Sequence, residues 1–261
     1  MGLFEKKICS FCGGESGLLS NQKLSDGNIC KECRKAFSPF FDANSNMSVE
    51  FVREHLAYRE KNRNALDSFE SSYGIGKDKI LFVDEKHGRY ILATDSEFKN
   101  GEPDVFRVAD FANASFYVKE SEHIFREDHS RDYFYYDFYM VIKQNHPTLP
   151  EISCKINTSI VKIDRMPVLP AQAEQLYRGG SLNYVGTMSS TDKRNLDKYM
   201  DYYTIANDMV NKMNELAGRY AAMKQAKEQS AAASSSPKFC PNCGTPVKPG
   251  SKFCTECGTK F

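Results

Sequence analysis

The chain has 261 residues, 41% of them hydrophobic and 26% charged, with 18 Phe, 14 Tyr, no Trp and a formal net charge of +1. That length allows more than one domain, and no stretch approaches the roughly 18 consecutive apolar residues of a membrane-spanning helix. Met1 to Lys7 lacks the apolar centre of a secretory signal, and Lys6 stands where an N-myristoylation motif has Ser or Thr, so a cytoplasmic protein is expected.

The nine cysteines decide more. Eight form four Cys-x-x-Cys pairs, Cys9/Cys12, Cys30/Cys33, Cys240/Cys243 and Cys254/Cys257, and Cys154 stands alone. In a chain with no export signal, such pairs point to metal rather than to disulfides. Cys9-Ser10-Phe11-Cys12-Gly13-Gly14 has the form of a zinc knuckle. Two intervening residues let both sulfurs reach one ion at about 2.3 Å. The glycines after Cys12 permit the positive φ that turns backbone N–H groups toward sulfur. Asp26-Gly27 marks a hairpin turn, and Lys31 to Phe37 reads as a short helix that stops before Pro39. Knuckle, hairpin and a helix supplying the last ligands make a treble-clef arrangement, expected over residues 1–41. The alternatives are a redox pair or coincidental buried thiols, and the spacing of the second pair argues against both.

The run Gly2-Leu3-Phe4, Lys6-Lys7, Cys9 and Cys12, followed by Lys23-Leu24, Asp26-Gly27, Cys30 and Cys33 and then Ser38-Pro39-Phe40-Phe41, resembles an uncharacterised bacterial family. It is a family of unknown function found mainly in Firmicutes and built on such a zinc module. Leu56-Ala57-Tyr58-Arg59-Glu60 is similar to the helical stretch those proteins carry next. The resemblance implies zinc and an intracellular bacterial protein, and it implies no reaction.

Ser48 reads as the cap of a helix running to about Glu60, with a second short helix through Ala65, Leu66 and Phe69, so residues 46–73 form a helical connector. From Lys79 the pattern turns to strands: Ile80 to Val83, Tyr90 to Ala93, Val105 to Val108, Ser115 to Val118, Tyr133 to Ile142 and Ile152 to Ile156, with a hairpin turn at His87-Gly88. The aromatic run Tyr133 to Met140 invites a ligand-cage reading, but a long strand partly covered on both faces is the simpler account. From Leu196, residues Tyr199, Tyr203, Ala206, Val210, Met213, Ala217 and Tyr220 recur at alternating steps of three and four. That pattern suits a helix laid on the strands, or self-association through residues 196–220. Residues 78–228 are therefore expected to form an antiparallel β-barrel or sheet domain with a long C-terminal helix, pleckstrin-like in architecture. The fold class is α+β.

Gln229 to Pro237 reads as a flexible linker by composition. Beyond it, Lys238-Phe239-Cys240-Pro241-Asn242-Cys243-Gly244 recurs 14 residues on as Lys252-Phe253-Cys254-Thr255-Glu256-Cys257-Gly258. Residues 238–261 resemble the short zinc-ribbon domain common in bacterial proteins. Phe239, Phe253 and Phe261 are its large aromatic groups, expected to gather around the metal, and so small a module needs zinc to fold. Four thiolates leave no open coordination position, so each ion is expected to be structural.

Other motifs weigh less. Gly74-Ile75-Gly76-Lys77 lacks the spacing of a phosphate loop, His123 and His129 lack a third ligand, Arg178-Gly179-Gly180 is a single copy, and Cys154 reads as a small buried apolar residue. No Ser/His/Asp order or hydrolase elbow is evident, so no enzyme is expected. Residues 1–40 hold six Lys/Arg against four Asp/Glu, residues 237–261 four against one, and the middle 25 against 29. A Zn(Cys)4 centre carries a net charge of −2, so two bound ions leave both ends nearly neutral and weaken electrostatic binding of nucleic acid. The expectation is a chain with two Zn2+, acting as a non-enzymatic scaffold or adaptor for protein partners. A regulatory nucleic-acid-binding protein is the alternative.

Overall fold

The computed structural model describes residues 7–17, 20–123, 133–164, 190–234, 239–248 and 251–260. Gly2 to Lys6, His129, Arg178 to Gly180 and Phe261 lie outside them. The chain divides into two units, Met1–Asn214 and Glu215–Phe261.

The first unit begins with two small antiparallel pairs, β1 (Lys7–Ile8) with β2 (Glu15–Ser16) and β3 (Asn21–Lys23) with β4 (Asn28–Cys30), followed by α1 (Lys31–Arg34). Leu24, Ile29 and Cys9 are its buried centre. The Asp26-Gly27 turn does more than reverse the chain. Asp26 accepts from Val49 N at 2.7 Å, at the start of α2 (Val49–Asp67), beside the Ser48 cap. A Cβ at Gly27 would stand 2.5 Å from Ser10 Oγ and 2.6 Å from Val49 Cγ2, so only glycine lets the turn come this close.

α2 is one helix of 19 residues, not two short ones. Nothing between Glu60 and Ala65 breaks it. The buried Asn62, a weak helix former, earns its place through its side chain, which accepts from Val105 N and donates to Pro103 O. The same 102–105 strap carries Asp104, whose carboxylate accepts from Arg59 at 2.8 Å and from Ser38 Oγ at 2.6 Å. His55 is fully buried one turn earlier, its ring stacked on Phe41 at 3.7 Å. Ser38 N donates to His55 Nε2, so the proton sits on Nδ1 and is given to Thr148 Oγ1.

The first sheet runs β5 (Tyr73–Gly76), β6 (Ile80–Asp84), β7 (Arg89–Ala93), β8 (Phe106–Arg107). Phe82, Ile91 and Ala93 pack with Ala65, Leu66 and Phe69 of α2 and with Phe98 of α3 (Asp95–Asn100), which starts on a Thr94/Glu97 capping box. Leu81, Val83, Tyr90 and Leu92 are buried too, so this sheet is covered on both faces. The 84–89 hairpin is held by the buried Asp84, which accepts from Arg89, His87 and Glu70 N, while Arg89 also donates to the Ala65 and Ser68 carbonyls at the end of α2.

The second sheet centres on β10 (Tyr133–Gln144). β9 (Phe111–His123) lies along one edge, and β11 (Glu151–Lys155) and β12 (Val161–Asp164) share the other. Between β11 and β12 the buried Asn157 replaces the ladder, accepting from Phe138 N and donating to Tyr136 O. Among the described residues the two sheets do not close into the expected barrel. β8 stops after two residues, because Val108–Asp110 turns as a 3-10 helix before β9 begins, where the sequence suggested a strand through Val108. Tyr136, Phe138, Met140 and Ile142 face α4 (Ser190–Ser234), with Tyr199 edge-on to Tyr136 at 5.0 Å. Tyr202 reaches past them to Asp78, which also accepts from Thr158 N and Ser159 N.

The second unit holds the end of α4 and the C-terminal cysteines. Residues 221–230 are exposed throughout. The helix continues to Ser234, through six of the nine residues read as a linker. Ala231, Ala232 and Ala233 are the strongest helix formers, and nothing before Pro237 breaks the run.

Candidate metal centres

A tetrahedral ion with bonds of about 2.3 Å to sulfur needs sulfur–sulfur edges of about 3.8 Å. At the N-terminal end Cys9 and Cys33 are 3.9 Å apart and Cys12 and Cys30 are 3.8 Å apart. At the C-terminal end Cys240 and Cys257 are 3.5 Å apart and Cys243 and Cys254 are 3.6 Å apart. Within each set all four sulfurs lie within 4.8 Å of one another. A disulfide would bring two sulfurs to about 2.05 Å, and all nine cysteines are free. Both sets fit a soft, tetrahedral divalent ion of the size of Zn2+.

Local structure aims the sulfurs. Cys9 closes the first knuckle by donating to Gly14 O, and Gly13 returns a bond to Cys9 O from a φ of 71°. Cys30 caps α1, its sulfur accepting from Cys33 N, and Cys30 N donates to Cys9 Sγ. Burial raises the Cys9 thiol, but the N–H groups of Cys12, Cys30 and Phe11 outweigh it and bring its pKa to about 6. Burial, then its neighbouring sulfurs, pushes Cys33 up instead. In the ribbon, the hydroxyl and then the N–H of Thr259 bring Cys257 down to about 5.

Each of the ribbon's two knuckles is closed by its own bridge, Phe239↔Pro246 in the first and Phe253↔Lys260 in the second. Phe239 and Phe253 are 61% and 56% exposed, against the expectation that they gather at the metal. Main-chain hydrogen bonds close the knuckles, so the rings are left in solvent.

The remaining sequence candidates do not assemble. Cys154 is half-buried in β11, where burial lifts its thiol to about 12. Gly76 sits in the β5–β6 turn at a φ of 138°, a tight-turn role rather than a phosphate loop. Sequence reasoning passed over Thr245 and Thr259, although their place in the 14-residue repeat, each directly after a knuckle glycine, was a visible signal. It also passed over His55 and Asp104, and met Arg59 only within the family resemblance, because the meaning of all three depends on distant partners.

Two closed four-sulfur sites, each set in its own small fold, define a chain with zinc-type modules at both ends. Residues 7–55 match a family described as a domain of unknown function (DUF4428), and residues 239–261 match the zinc-ribbon domain. The first match runs past the treble-clef elements into α2 as far as His55. No curated protein and no solved structure matches the chain.

Proposed function

We propose that the chain is a non-enzymatic scaffold or adaptor for protein partners, with one structural Zn2+ at each end. The observation that carries this reading is the closure of each site: four sulfurs at tetrahedral spacing leave no coordination position for a substrate or an activated water. When bound, the ion supplies folding free energy and holds the backbone, roughly 10–16 kcal/mol for a structural site at neutral pH. The cysteines orient the knuckles, and the exposed Phe239 and Phe253 offer apolar anchors of the kind protein interfaces use. Helix spacing in α4 also suits self-association, but Tyr199, Tyr202, Ala206, Met209 and Met213 are already buried in the chain's own first unit. No helix of the described residues is long and apolar enough to cross a membrane. A reducing, cytoplasmic setting suits thiolates that must stay unoxidised.

Elemental analysis of protein purified without chelator should give about two zinc per chain, and a value near zero with all thiols free would end the zinc reading. Capture with tagged full-length chain, read against a double-cysteine variant of each site, should return protein partners that depend on at least one module. Anisotropy with random and structured DNA and RNA should show only weak, salt-sensitive association. A submicromolar, sequence-dependent complex at about 150 mM salt would favour the nucleic-acid alternative instead.

A further inference from the structure

Three of the four cysteine pairs are knuckles of one construction. In each, the first cysteine donates to the carbonyl five residues on: Cys9 to Gly14 at 2.9 Å, Cys240 to Thr245 at 2.8 Å and Cys254 to Thr259 at 2.8 Å. In each, a glycine donates back to that cysteine, from φ values of 71°, 70° and 72° at Gly13, Gly244 and Gly258. The second cysteines, Cys12, Cys243 and Cys257, are all exposed. The knuckles part company two residues later, at Gly14, Thr245 and Thr259. The Thr245 hydroxyl lies 3.2 Å from Cys243 Sγ, and the Thr259 hydroxyl lies 3.1 Å from Cys257 Sγ. A Cβ at Gly14 would stand 3.4 Å from Cys12 Sγ, the matching place beside the sulfur without the donor.

We propose that Thr245 and Thr259 quench the ribbon's two outer thiolates by donating hydrogen bonds to them, and that Cys12, beside a glycine, is left as the electrophile-sensitive zinc ligand of the chain. This rests on the reading that both sites hold Zn2+. Without the ion the Cys243 thiol donates to Thr245, but a metal-bound thiolate has no proton, so with the ion bound the hydroxyl must be the donor. Such a charge-assisted bond withdraws electron density from the sulfur that an attacking carbon would need. A maleimide is a suitable soft electrophile. The thiolate adds to its C=C bond, an S–C bond forms, the displaced π pair takes a proton from water, and the resulting neutral thioether no longer serves as an anionic ligand, so the ion is released. Exposure alone would rank the ribbon as the more reactive site, since it has two exposed sulfurs against one. The hydroxyls reverse that order.

The test uses full-length, zinc-loaded protein and limiting N-ethylmaleimide, with labelling of each cysteine followed by peptide mass spectrometry and zinc release by a chromophoric chelator. Cys12 should be labelled before Cys243 and Cys257. The pair Thr245→Val and Thr259→Val should speed labelling of Cys243 and Cys257 by about tenfold, the low end of the effect of losing an outer-shell partner. Thr245→Ser with Thr259→Ser keeps the hydroxyls and should restore the slow rate. Gly14→Thr should slow Cys12. Loss of the ribbon's zinc in the valine pair but not in the serine pair would support the proposal equally, because the effect would again follow the hydroxyl. Valine and serine pairs that behave alike would overturn it, as would wild-type Cys243 and Cys257 reacting as fast as Cys12. Zinc analysis before treatment separates the two failures: a metal-free chain defeats the zinc reading and this proposal together, whereas a chain with two zincs and no dependence on the hydroxyl defeats this proposal alone.

Discussion

The N-terminal module and the C-terminal ribbon use the same ligand set at similar sulfur–sulfur distances, yet their surroundings differ. Around the first, side chains reach out into the rest of its unit. Asp26 caps α2, Arg53 donates to Ser10 O, and Ser38 binds both His55 and Asp104. Around the second, the main-chain bonds close within the repeat itself, from Cys240 to Thr245 and from Cys254 to Thr259. Identical metal chemistry can thus serve two purposes. In one place it secures a junction in a larger core, and in the other it stands in for a core.

Breaking one site at a time tests that contrast most severely. Cys30→Ser and Cys254→Ser should each lower the zinc content from about two to about one. Only Cys30→Ser should lower the melting temperature of the first unit, by roughly 10 °C, if loosening the junction costs about 3 kcal/mol in a domain of this size. Thermal unfolding followed by tyrosine fluorescence reads this directly, and equal melting in the two variants would refute a junction role for the first site.

Smaller changes sharpen the same comparison from inside the junction. The Asp104 side chain is fully buried, and its Arg59 partner is 10% exposed. Asp104→Ala leaves a guanidinium nearly buried without its carboxylate and should cost about 3–5 kcal/mol in urea unfolding. Its effect on ribbon zinc should be nil. His55 gives a pH signature. Burial, followed by the positive charges of Arg59 and His146, holds its pKa near 4. The unfolded ring takes its proton near pH 6.5 and the folded ring only near 4, so this stability is complete above about 6.5 and is lost as pH falls toward 4. The loss approaches about 3 kcal/mol at the lower end. NMR titration of the ring should show a midpoint near 4, and one near 6.5 would mean that the ring is not buried in solution.

The cysteine sites could be read from the sequence because knuckle chemistry is local: spacing, glycine and sulfur all lie within six residues. The strands β6, β7 and β10 were legible for a related reason, since their apolar runs exceed any alternative reading. What failed was information spread over distance or carried by composition alone. Asp104 and His55 look like ordinary polar residues until residues 38, 59 and 148 are brought beside them. The heptad in α4 was seen, but the buried stripe runs through Tyr199, Tyr202, Ala206, Met209 and Met213 rather than through Tyr203 and Val210. Two adjacent tyrosines, Tyr202 and Tyr203, allow either phase, and the reach of Tyr202 to Asp78 decides it. Short elements such as β5, α3 and β12 are set by pairing and capping, with too few residues to show a period. The alanine-serine run after Gln229 fits a linker by composition and a helix by propensity, and the continuing helix settles it as far as Ser234.

The smallest expected effect lies at that helix end. Residues 221–230 of α4 are exposed, so a cut within them falls where the helix covers no core. A chain truncated after Gln229 loses the last turn of the helix, a few tenths of a kcal/mol of propensity, together with the ribbon and its zinc. The ribbon's main-chain hydrogen bonds run within residues 239–260, and its folding free energy comes from its own metal. The first unit should therefore melt within about 2 °C of the full chain, the shift that corresponds to roughly 0.5 kcal/mol at this size. Zinc content should fall from about two to about one in the same sample. Calorimetry of the two chains side by side measures both units at once: the low-enthalpy transition of the ribbon should vanish and the main transition should stay in place. A main transition lowered by more than about 5 °C would show that the ribbon lends stability to the sheets, and the contrast between a metal that secures a junction and a metal that replaces a core would fail at its second half.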